Sequence, residues 1–229
     1  MRLWRLPETR GTESEPPAGT PATAATFVNG PSDPAVGNGS VTLRRATGSE
    51  KVTLFNYDHV GTELSDIDAI EYATYRTSGD LQQVTALNLQ VDYNGRESGG
   101  FTTLVFEPVY NTDQGLVVDE TWQDWDAING GSARWWSTRA IPGVCAFSCY
   151  VTWSDILTAN PNATILGGVG LNQGSGNPAL VTSVDYLAFD EATYDFELIR
   201  DLDGDGIGDT PAPTNKDQCE KDGYKASTT

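Results

Sequence analysis

The segment Leu87-Asn88-Leu89-Gln90-Val91-Asp92-Tyr93 alternates apolar and polar side chains without a break. A period of two turns Leu87, Leu89, Val91 and Tyr93 to one face of a strand and Asn88, Gln90 and Asp92 to the other. Asn94-Gly95 follows as a hairpin signal. Gly37–Leu43 is predicted as a turn entering a strand, and further strands are predicted over 51–57, 69–75, 101–108, 115–120, 121–126, 133–138, 164–171 and 181–190, separated by Gly, Pro, Asn and Asp turns. Phe27–Pro31 leads into the first of these strands, and the Pro- and Thr-rich stretch before it reads as a loose linker. One helix is predicted over Trp153–Ala159. There Trp153, Ile156 and Leu157 share a face, Thr152 can cap the start and Pro161 follows the end.

Many short strands and one short helix predict an all-β antiparallel sandwich or jelly roll. A parallel sheet would need repeated helices that the pattern lacks. The pattern stops near Glu197. Residues 1–196 therefore read as the β domain, and 197–229 as an acidic loop with a polar tail.

The chain of 229 residues carries 14 Lys and Arg against 32 Asp and Glu, a formal net charge of −18. Such a surface repels phosphate backbones and anionic lipid, so neither nucleic acid nor membrane is the expected partner. It suits divalent cations and neutral partners such as polysaccharides. No apolar run reaches the roughly 18–20 residues of a membrane helix. The first eight residues, Met1 to Glu8, lack the apolar core of a signal peptide. A cytoplasmic chain and a secreted or cell-surface fragment whose true start lies upstream both fit this beginning. The cysteines favour the second. Cys145 and Cys149 flank a three-residue loop and read as a local disulfide. A metal half-site would want more than the one histidine, His59, and a second Cys pair. Cys219 is left over, as if its partner were missing.

Asp201-Leu202-Asp203-Gly204-Asp205-Gly206-Ile207-Gly208-Asp209 places carboxylates at loop positions 1, 3, 5 and 9. Calcium takes six to eight hard oxygens, and a chain wrapped round the ion offers every second side chain to it. Gly206 permits the sharp turn, and Ile207 would offer its backbone carbonyl. The bidentate Glu of an EF-hand is absent, since position 12 is Ala212. Asp201, Asp203, Asp205, Ile207 and Asp209 are the expected calcium ligands. The segment resembles a thrombospondin type 3 repeat, which implies a structural calcium in a spacer or stalk. The tail Asn215–Lys225 resembles a C-terminal motif of many secreted bacterial proteins. That motif continues to a second cysteine, and the chain ends before it.

Phe27-Val28-Asn29-Gly30-Pro31, Leu54-Phe55-Asn56-Tyr57, Val105-Phe106-Glu107-Pro108 and Thr164–Gly170 are similar to segments of an uncharacterised family of secreted bacterial β-sandwich domains. The layout also resembles jelly-roll carbohydrate-binding modules. Those often hold a calcium between their first and last strands, which the resemblance would place at Glu8 and Asp190. Trp122, Trp125, Trp135, Trp136 and Trp153 crowd between positions 122 and 153. A sugar's apolar C–H face stacks on an exposed indole. The first four are the candidate glycan contacts, with Trp135 and Trp136 on opposite faces of their strand.

Three functions follow in order. The first is a non-catalytic module binding a polysaccharide or cell-surface glycan. The second is a structural or adhesive surface protein. The third is a polysaccharide hydrolase or lyase, for which Glu107 and Glu71 are the candidate acids. His59 comes with no nucleophile motif and reads as structural.

Overall fold

The computed structural model describes residues 2–3, 24–79, 82–95, 99–147 and 149–196. Among the described residues there are thirteen strands: β1 Arg2–Leu3, β2 Ala24–Asn29, β3 Gly39–Arg44, β4 Val52–Asn56, β5 Ile70–Ser78, β6 Ala86–Asp92, β7 Phe101–Phe106, β8 Trp122–Asp126, β9 Arg134–Ser137, β10 Val151–Thr152, β11 Thr164–Gln173, β12 Val181–Phe189 and β13 Ala192–Asp195. One α-helix, α1, spans Trp153–Ala159.

They form two sheets. One runs β2-β3-β12-β5-β8, with β13 extending the β3 side of β12 and β1 beside β13. The other runs β10-β9-β7-β6-β11-β4. The pairings nest: β3 with β12, β4 with β11, β5 with β8, β6 with β7. This is one long hairpin rolled so that its two halves fall alternately into the two sheets, the winding of a jelly roll.

Alternation accounts for the core. Val41, Leu43, Ile70, Tyr72 and Leu187 of the first sheet face Leu87, Leu89, Leu104, Phe106 and Leu171 of the second, all fully buried. On β6, Leu87, Leu89 and Val91 point inward as the pattern requires. Asp92 and Tyr93 depart from it. Asp92 is 5% exposed, because the turn after β6 folds back over it and the Asn94 N–H donates to its carboxylate at 3.1 Å. Tyr93 lies past the strand end and is half-buried.

The expected strand over 115–120 does not form. Gly115 has φ +114, and only Asp119 makes an isolated bridge. The Gln123 side chain takes the place of a neighbouring strand, accepting from the Val118 N–H at 2.7 Å and donating to the Leu116 carbonyl at 2.8 Å. Conversely, Ala24–Asn29, partly read as linker, is a strand paired along its whole length with β3. The helix forms as expected. Thr152 accepts from the Asp155 N–H at 3.2 Å and Asp155 accepts from the Thr152 N–H at 3.1 Å, a reciprocal cap. Trp153 and Ile156 are its buried residues.

Candidate functional site

The four candidate tryptophans do not make one strip, because consecutive strands enter different sheets. Trp122 and Trp125 sit on β8 in one sheet, Trp135 and Trp136 on β9 in the other. On each strand one indole points in. Trp125 is 1% exposed and donates to Thr74 Oγ1 at 2.6 Å. Trp135 is fully buried, donates to the Ala127 carbonyl at 2.8 Å, and packs on Phe106 and Trp153. Burial removes both from any stacking role. Trp122 and Trp136 are half-buried and look outward, on opposite faces of the sandwich. Trp122 donates to the Pro31 carbonyl at 2.9 Å, and its ring lies 5.4 Å from that of Tyr75.

Around Trp136 the chain gathers a cluster of side chains that no single stretch of sequence announces. β7 pairs with β9 so that Val105 lies opposite Trp136, which brings Glu107, just past the end of β7, beside the indole. The Trp136 N–H donates to Glu107 Oε2 at 2.8 Å. Asn111 fixes both strand ends. Its amide donates to the carbonyls of Glu107 and Arg134 at 2.9 and 3.1 Å, and its oxygen accepts from the Arg134 N–H at 2.6 Å.

The Cys145–Cys149 disulfide, with Cα atoms 5.2 Å apart, closes the next part. Between its cysteines Phe147 adopts φ +59 and stands 65% exposed, its ring 5.2 Å from Trp136. Just beyond, Tyr150 packs on Tyr110 at 4.7 Å. Glu107 thus bonds the indole that Phe147 packs on, and its charge is felt by the Tyr150 hydroxyl. Burial raises its pKa, and the Trp136 hydrogen bond opposes that rise. The Tyr150 hydroxyl is pushed up to about 12, first by burial and then by its hydrogen bond with Tyr110.

Chemically the cluster offers an exposed phenyl ring, a half-buried carboxyl and two phenolic hydroxyls. An exposed phenyl ring offers an apolar stacking face, and a carboxyl and phenols offer hydrogen-bond partners.

The other sheet bears a shallow depression of about 220 Å³ lined by Glu71, Gln114, Asp124, Trp125, Asp126 and Tyr186. Tyr186 donates to Asp124 Oδ1 at 3.2 Å, and burial followed by the nearby carboxylates holds its proton on well above the usual range. Glu71 and Glu107 are therefore on opposite faces of the sandwich and cannot act on one bond.

His59 is packed rather than displayed. Its ring stacks on Phe189 at 3.8 Å, and its Nε2 lies 2.9 Å from the Tyr194 hydroxyl. Asp190 accepts two backbone N–H groups, from Asp68 and Ala69 at 2.8 and 3.0 Å, which ties a turn. Glu8, Cys219 and the calcium ligands expected at Asp201, Asp203, Asp205, Ile207 and Asp209 lie outside the described residues. Among the described residues no cluster of three or more His, Cys, Asp or Glu is arranged to hold a metal ion, and no helix is long and apolar enough to cross a membrane.

Comparison with family models, with curated proteins and with solved structures gave no match.

Proposed function

We propose that this chain is a non-catalytic binding module for a polysaccharide or cell-surface glycan, and that the surface around Phe147, Trp136 and Glu107 is its contact surface. The observation that carries the reading is Phe147: a phenyl ring 65% exposed, set on a disulfide-closed loop and backed by Trp136. An exposed aromatic ring is the group on which the apolar C–H face of a sugar stacks. The indole that backs Phe147 also bonds the Glu107 carboxyl, a group that can accept from sugar hydroxyls. The net charge of −18 favours neutral glycans over uronate-rich ones. A disulfide suits a secreted or surface-attached chain, and the Asp201–Asp209 loop would add calcium as a structural ion in the segment that follows.

A glycan array followed by calorimetry on the best binder tests this. Parent protein should bind neutral oligosaccharides, and Phe147→Ala should lose at least about tenfold in affinity, roughly 1.4 kcal/mol, with an unchanged melting temperature. A parent that binds no glycan, or a Phe147→Ala protein that binds as the parent does, removes the reading.

One observation favours a second reading, a polysaccharide hydrolase or lyase. A half-buried carboxyl with a raised pKa is what a general acid requires. Product release from array-positive glycans, abolished by Glu107→Gln, would replace binding with catalysis.

A further inference from the structure

Charged residues make up 20% of this chain, yet four of the strands in the second sheet hold almost none. β4, β7 and β11 carry no ionisable side chain, and β6 carries only Asp92, buried at its end. The first sheet differs, since Glu71, Asp124 and Asp126 line the depression on its outer side.

Strand register sets what the neutral face displays. Leu54, Leu89, Leu104 and Val169 are buried in the core, so the residues on either side of each point outward. Val105 lies opposite both Trp136 and Asn88, Asn88 lies opposite Gly170, and Gly170 lies opposite Phe55. These five residues form one row across five strands, about 19 Å long at about 4.8 Å per spacing. Aromatic rings stand at both ends. Phe147 packs on Trp136 at one end. At the other, Phe55 lies against Gly168 and Gly170, where any Cβ would collide with its ring, and Tyr57 is 56% exposed with its ring 6.0 Å away. Between the ends stand small side chains and amides. Gln90 accepts from the Gly168 N–H at 2.9 Å and Asn172 from the Thr53 hydroxyl at 2.7 Å, which leaves the NH2 group of each as a donor. The Asn88 oxygen is shielded from solvent and meets no donor. An ionic partner would lose hydration here with no counter-charge along the row. Amides between aromatic rings match a ligand that is uncharged, rich in hydroxyls and apolar on its C–H faces.

We propose that this row is one continuous site for a neutral, extended polysaccharide chain lying across the strands, from Phe147 and Trp136 to Phe55 and Tyr57. The proposal rests on the glycan-binding reading and adds to it a substrate class and a length. No single sugar ring reaches both ends, so an oligosaccharide that spans them binds more tightly than a disaccharide of the same sugar.

The experiment is calorimetry on the full chain with cellobiose, cellotetraose and cellohexaose, and with the same lengths of the neutral glycan that binds best on the array. Hexasaccharide affinity should exceed disaccharide affinity at least about tenfold. Phe55→Leu and Tyr57→Ala should each lower hexasaccharide affinity about fivefold or more. In a nitrogen–proton correlation spectrum the hexasaccharide should shift the side-chain NH2 peaks of Asn88 and Gln90. The Gln114 NH2, held by the Asp126 and Gly130 carbonyls beside the other sheet, should stay in place.

Equal affinity for the two lengths overturns the extended site and leaves the binding reading standing. So do Phe55→Leu and Tyr57→Ala proteins that bind as the parent does while Phe147→Ala is weakened. Asn88 and Gln90 peaks that ignore the hexasaccharide but move with protein concentration put a second copy of the chain on this face and overturn the site as well. Preference for uronate-bearing glycans over neutral ones overturns the substrate class. A parent that binds no glycan removes the binding reading, and this site with it.

Discussion

Glu107 ionises inside a half-buried aromatic setting, and that places a sign on the protein's stability against pH. Burial raises its pKa above the ordinary 4.5. The folded chain then holds a proton at pH values where the unfolded chain has already released it. The resulting stabilisation is complete below about pH 4.5 and is lost as pH rises through the raised folded value. Glu107→Gln keeps the shape and an oxygen for the Trp136 N–H but has nothing to titrate. Its melting temperature relative to the parent should climb from acid to neutral pH and then level off. Thermal melts between pH 4 and 8 check this, and a parent–variant difference that stays flat across the range contradicts it. Tyr150 supplies a second marker, since a phenol pushed to about 12 stays largely protonated at pH 10, and Tyr150→Phe should leave the phenolate absorbance of the protein at that pH nearly unchanged. At this scale the sequence showed Glu107, Trp136 and the cysteine pair one at a time. It could not show them together, because strand pairing and a five-residue turn bring them into contact. Phe147 passed unmarked for the same reason: one phenylalanine between two cysteines has no pattern of its own, and only its exposure and its backing by Trp136 single it out.

At the scale of the element, side chains that are neighbours in sequence carry unlike consequences. Trp135 fills the core between Phe106 and Trp153, and Trp136 lies outside on the same strand. Trp135→Ala should cost about 3–5 kcal/mol, enough to unfold a domain of ordinary stability. Trp136→Ala should cost about 1–2 kcal/mol, within the common range for single substitutions. Urea titrations of the two variants separate them, and equal midpoints would contradict the assignment of faces. The cap of α1 is a smaller case. Thr152→Ala removes the acceptor for the Asp155 N–H and should cost about 1 kcal/mol, checked by the same titration. Elements with a strong period or a cap were legible: β6 in its alternation, α1 in Thr152, Ile156 and Pro161. The stretch at 115–120 misled because Val117 and Val118 have strand propensity, while side chains of Gln123 occupy the hydrogen bonds a neighbouring strand would have used. Ala24–Asn29 was obscured by the Pro and Thr before it, and its pairing with β3 is a tertiary fact rather than a local one.

At the scale of the molecule, the two sheets of the jelly roll enclose one core, and the acidic segment that follows lies outside the described residues. The nested pairing from β3–β12 inward to β6–β7 is complete within residues 39–189. Calcium bound by Asp201, Asp203, Asp205, the Ile207 carbonyl and Asp209 would then order its own loop and leave the sandwich melt where it is. Lacking the bidentate Glu of an EF-hand, the loop should bind at about 10⁻⁴–10⁻³ M, the range of extracellular modules. Asp203→Ala or Asp205→Ala should weaken binding below detection in a calorimetric titration at millimolar calcium. Neither should move the main thermal transition in calcium or in chelator. A variant that binds calcium like the parent removes the loop as the site. A main transition that rises sharply with calcium in the parent, and still does so in Asp203→Ala, places the ion in the sandwich instead. Glycan binding then becomes calcium-dependent through the core rather than independent of it, and the same titration repeated with a bound oligosaccharide distinguishes the two, because only an ion in the sandwich changes its apparent affinity when the surface around Glu107 is occupied.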